Sequence, residues 1–116
     1  METNVVEMFE GEYGDPLIFP VDTTKDIITG MTPTLTISLN DVFFKTISGA
    51  TLALSSQTID GTAYQSFVWT PTADPGFVAG TDDNKNIYDI VGKVSKSGNV
   101  RIVGYWKLKI KDVASA

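Results

Sequence analysis

The chain has 116 residues; 14 acidic against 9 basic side chains leave a formal charge of −5, and there is no Cys and no His. That length suits one domain with one core. Without Cys there is no disulfide, thiol nucleophile or thiolate metal site. Without His the usual general base, the commonest metal ligand and any Ser-His-Asp triad are missing. Thr, Val and Ile fill 35 of the 116 positions, and ten Gly and five Pro punctuate them. β-Branched side chains fit a pleated strand and lose χ1 freedom in a helix, so an all-β domain is expected over 1–116.

Val5 to Tyr13 opens the chain as a first strand, inside an extended N-terminal arm spanning 1–16. Leu17, Phe19 and Val21 alternate in a short strand between Pro16 and Pro20. Proline cannot donate to a ladder, so it marks either an edge strand or the end of a strand. Asp22 to Asp26 has the composition of a turn or helix N-cap, with one helical turn through Ile28 before Gly30. Leu35, Ile37 and Leu39 alternate with Thr36 and Ser38, and Asn40-Asp41 turns the chain into Val42–Ile47. Leu52 and Leu54 share a face of the next strand. Asp60-Gly61 is a strong hairpin turn into 62–70, which carries Tyr64, Phe67 and Trp69.

Residues 71–86 break the alternation, a long connection for so small a domain and the kind that is either functional or disordered. Tyr88, Ile90 and Val94 share one face of the following strand, and Ser97-Gly98-Asn99 supplies a hairpin. In the last strand Val100, Ile102, Gly104, Trp106, Leu108 and Ile110 share one parity, with Arg101, Lys107, Lys109 and Lys111 on the other. Period two places the even set in the core. Seven or eight short strands at regular spacing predict a β-sandwich or a small barrel, and the sandwich is favoured because the strands are short and the loops vary.

Charge is unevenly placed, with net −6 over 1–26, −4 over 27–92 and +5 over 93–112. A nucleic-acid binder needs net positive charge, so none is expected as a partner. The acidic head and basic tail either lie side by side in one sheet or join neighbouring copies; the second is the expectation taken here. No 18-residue apolar run exists to span a membrane as a helix. Met1-Glu2-Thr3-Asn4 lacks the basic start of a secretory signal, so synthesis and retention in a cytoplasm are expected.

Asp82-Asp83-Asn84 offers oxygen ligands without the spacing of a calcium loop, and Asp41 and Asp89 are carboxylates that no spacing links. No metal, cofactor or catalytic residue is therefore assigned. Trp69, Trp106, Tyr88 and Tyr105 are the aromatics from which a sugar-binding platform would be built, Tyr105 foremost because its parity points outward. Partner contact is expected from Phe77 and Val78 as exposed anchors of the long loop, from Phe9 and Tyr13 in the arm, and from Tyr105.

The order of features resembles small immunoglobulin-like domains of phage virion proteins, the N-terminal domain of baseplate upper proteins in particular. The resemblance is carried by Glu10-Gly11-Glu12-Tyr13-Gly14-Asp15 before Leu17-Ile18-Phe19-Pro20-Val21 and by Gly49-Ala50-Thr51-Leu52. It continues in Tyr88-Asp89-Ile90-Val91, Ser97-Gly98-Asn99 and Gly104-Tyr105-Trp106-Lys107-Leu108-Lys109-Ile110. The group's Leu-Thr-Gly is replaced by Thr46-Ile47-Ser48. The resemblance implies an immunoglobulin-like sandwich in a tail, baseplate or head. It would act without catalysis, through contacts with copies of itself or another virion protein. A glycan- or receptor-binding module is the alternative.

Overall fold

A computed structural model describes residues 5–21, 30–78 and 87–111, and every strand in it belongs to one of two sheets. The strands are β1 (Val5–Phe9), β2 (Leu17–Pro20), β3 (Thr32–Leu39), β4 (Val42–Ile47), β5 (Leu52–Ile59), β6 (Thr62–Trp69), β7 (Ile87–Lys96) and β8 (Asn99–Lys111). One sheet has the order β1-β8-β7-β3-β4, the other β2-β6-β5, and together they make the predicted β-sandwich. The expected helical turn near Ile28 lies outside the described residues.

Three hairpins follow from local sequence. Asn40-Asp41, Asp60-Gly61 and Ser97-Gly98 each place two residues in a row at positive φ. That is the turn whose twist matches paired strands, and it needs residues that tolerate the left-handed region.

The core is where the two sheets' inward side chains meet. Leu35, Ile37, Tyr88, Ile90, Leu108 and Ile110 of the larger sheet face Phe19, Phe67, Leu52 and Trp69 of the smaller. Trp106 joins them. Its ring centroid lies 5.5 Å from both Phe19 and Phe67, and its Nε1–H donates to the Pro20 carbonyl at 2.8 Å. Gly92 and Gly104 are directly opposed across β7 and β8, so the indole lies over bare backbone.

The last strand departs from strict period two. Trp106, Leu108 and Ile110 are buried as expected, whereas Val100 and Ile102 are 65% and 69% exposed. The pairing shifts by one residue between Gly92 and Lys93: Gly92 faces Gly104, but Lys93 faces Ile102. Val103 is the extra residue of a bulge. A one-residue insertion sends every later side chain to the opposite face. Val100 and Ile102 are therefore on the outer face, a correction to the sequence parity.

The N-terminal segment is not a free arm over its described part. β1 is an edge strand paired in parallel with β8 of the same chain, in register from Val5–Lys107 to Phe9–Lys111. Beyond it Glu10 N–H donates to Lys111 O at 2.9 Å, and Gly14 N–H to Pro71 O at 2.8 Å. The acidic head and basic tail thus meet within the chain at the Glu7–Lys111 pair of 2.6 Å.

The hydrogen bond from Lys111, aided by the charges of Lys111 and Lys109, holds the Glu7 carboxyl below its usual range, outweighing the desolvation that raises it. A depressed folded pKa means the pair's contribution is present above the unfolded value near 4.5 and is lost as pH falls through the folded value. Both side chains are nearly half exposed, so the contribution is about 0.5 kcal/mol. Glu7→Gln is expected to lower urea-unfolding stability by that amount at pH 7. The difference should shrink as pH falls from about 4.5 through the lower folded value, and should shrink in about 0.5 M salt, where exposed pairs are screened.

Candidate interaction surface

The outer face of the larger sheet is built by register. From β8 it takes Val100, Ile102, Tyr105 and Lys107; from β7 the residues opposite them, Ser95, Lys93, Val91 and Asp89. From β3 it takes Thr32, Thr34, Thr36 and Ser38, each facing one of those β7 residues. Phe43 stands beside Ser38 on the edge strand β4 and is 63% exposed. Tyr105, Ile102 and Val100 form an exposed apolar line along β8, with Val91 beside Tyr105. Ser95, Lys93 and Asp89 of β7 lie between this line and the Thr/Ser row of β3.

Tyr105 is held in place. Its hydroxyl donates to Asp89 Oδ1 at 2.6 Å. That hydrogen bond, then desolvation and the negative charges of Asp89 and Asp41, push the phenol's pKa above its usual 10.0. The ring is 51% exposed and keeps its proton at any ordinary pH. Asp89 is thus engaged with Tyr105, while Asp41 sits in the β3–β4 turn at positive φ.

The expected contact residues do not come together in one place. Phe77 is 2% exposed, with its ring centroid 5.4 Å from Phe44, 5.9 Å from Trp69 and 4.8 Å from Tyr88. It is a core residue rather than an exposed anchor, because its ring leaves water to pack against three other buried or half-buried aromatic rings. Val78, next to it, is 59% exposed, and its N–H donates to the Tyr88 hydroxyl at 3.1 Å. Tyr13 is 56% exposed in the segment after β1. Phe9 is half-buried at the far corner of the outer face, with the Lys111 ammonium 5.5 Å from its ring centroid. Of the aromatics considered for a sugar platform, Trp69, Trp106 and Tyr88 lie in the core, and Tyr105 alone faces outward.

Residues 71–75 of the long connection form one wall of a groove of about 230 Å³ that also touches Lys45, Thr51 and Trp69. Its two charged side chains are already engaged: Lys45 Nζ donates to Pro75 O at 2.6 Å, and Asp74 Oδ1 accepts the Gly76 N–H at 2.9 Å. Among the described residues no three acidic, His or Cys side chains gather to hold a metal, and no helix is long and apolar enough to cross a membrane. Asp82-Asp83-Asn84 lies outside the described residues.

Sequence reasoning missed Val100, Ile102 and Phe43. The signal for the first two was present: glycines at 92 and 104 inside strand patterns, the usual mark of a bulge or close packing. Phe43 is harder to read. The partner ladder of β4 also shifts, between Ile37 and Ser38, turning Phe44 inward and Phe43 outward. No protein-family model and no curated protein matches the sequence.

Proposed function

We propose that the protein is a non-enzymatic structural module of a phage virion, an immunoglobulin-like sandwich that works by protein–protein contact. One observation carries the reading: the β8 bulge turns Val100 and Ile102 outward beside Tyr105, giving a regular sheet face an exposed apolar line. A contiguous apolar line of this kind suits burial against another protein. The aromatic Tyr105, pinned by Asp89, adds a rigid side chain of the kind that anchors interfaces. The resemblance of the turn and strand order to virion domains supplies the class of partner: copies of the chain or another virion protein.

Mass spectrometry of density-purified phage particles tests this reading. The chain is expected in the particles at a fixed ratio to the other structural proteins. Its absence from particles, with the protein present in the lysate, would overturn the reading. Specific glycan binding lost on Tyr105→Ala would favour a sugar-binding module instead.

A further inference from the structure

Each sheet has two edge strands, and an open edge is a template for another strand unless something blocks it. Three of the four edges are blocked. β1 is short and carries Glu7, and β2 has four residues and ends in Pro20. β4 is bulged, and it carries Lys45 on its inward face, opposite the fully buried Ile37. The fourth edge, β5, has none of these devices. Its eight residues, Leu52-Ala53-Leu54-Ser55-Ser56-Gln57-Thr58-Ile59, include no charge and no proline, and its ladder with β6 runs without a shift.

The backbone of β5 is set for pairing. Thr51 O accepts the Thr70 N–H at 2.9 Å, so the odd residues of β5 bond to β6. In an antiparallel ladder the alternate residues point the other way. Leu54, Ser56 and Thr58 therefore direct their N–H and C=O groups to the open side, where no strand pairs among the described residues.

We propose that β5 pairs antiparallel with β5 of a second copy, joining two three-stranded sheets into one continuous sheet. The occupant is argued from charge. Two copies of a chain with net charge −5 repel, and a neutral strand is where they can meet with no like charges opposed. A two-fold axis makes the contact self-complementary and closed. Keeping both inner faces on one side requires equal parity in each opposed pair, which centres the register on Ser55 or Ser56. The strand is only about 27 Å long, short of a standard interface, so the dimer is weak and concentration-dependent. This inference rests on the assembly reading and adds a specific partner surface to it.

Light scattering after size exclusion, from about 10 µM to about 1 mM, tests the pairing. The mass is expected to rise from 12.6 kDa towards twice that value. Amide exchange should slow on Leu54, Ser56 and Thr58 as it does. Ser56→Pro removes an edge N–H, and Ser55→Lys opposes two positive charges near the axis. Both should hold the mass at monomer throughout, with an unchanged near-ultraviolet spectrum as the folding control. A wild-type monomer at the highest concentration overturns the pairing. So does dimerisation of both variants at wild-type strength, which would place self-association on another surface. Neither result touches the particle assay, which does not depend on self-association.

Discussion

Trp106→Ala is expected to destabilise the fold by about 4 kcal/mol, the top of the range for this protein. A domain of this size has roughly 5–15 kcal/mol in all, so the variant should unfold at far lower urea or not fold at body temperature. Two effects add. The indole is 2% exposed and touches Phe19 and Phe67 of the opposite sheet, so its removal leaves a cavity between the layers. It also leaves the Pro20 carbonyl without its buried donor.

The complementary variants fill the same space from the other side. A Cβ at position 92 would lie 2.6 Å from Trp106 Cζ3, and one at position 104 would meet the ring still more closely. Gly92→Ala and Gly104→Ala should each cost about 2–3 kcal/mol through overpacking. Urea unfolding followed by circular dichroism reads all three. Costs under about 1 kcal/mol for the glycine variants would mean that the indole does not rest on this backbone.

Phe77→Ala is expected to cost about 3–4 kcal/mol, whereas Val78→Ala should change stability by less than about 0.5 kcal/mol. The contrast between neighbours decides what the 71–78 segment does. Phe77 is the hub of the ring cluster with Phe44, Trp69 and Tyr88, so truncation empties the open end of the sandwich. Aromatic pairing adds about 0.5–1.5 kcal/mol to the area term for each well-formed contact. A loop that served only as a partner's anchor would show the opposite: a stable Phe77→Ala monomer with a lost partner. Equilibrium unfolding of the isolated chain separates the two.

The alternation in β3 and β7 and the two-residue turns at Asn40-Asp41, Asp60-Gly61 and Ser97-Gly98 are local matters. Each is set by which residues accept a positive φ and by which of two faces a side chain takes. They were legible along the chain, and Pro16 and Pro20 marked β2 as an edge strand or a strand end, of which the structure has the edge. On the outer face Thr36, Ser38, Lys107 and Tyr105 were legible from parity; the bulge does not alter the last two because they lie on the Gly104 side of Val103.

Amino-acid sequence by itself determined the all-β class, the strand boundaries within a few residues, the hairpin turns and the absence of thiol and imidazole chemistry. Those properties depend on side-chain shape, φ preference and composition. Tertiary structure decided three things that depend on a partner strand or layer. The bulge opposite Gly92–Lys93 turned Val100 and Ile102 out, because a ladder slips only when its partner makes room. Phe77 went into the core, because the ring cluster that receives it is assembled from β4, β6 and β7. The acidic head met the basic tail within one chain, because β1 and β8, far apart in sequence, became neighbours when the sheet closed its order.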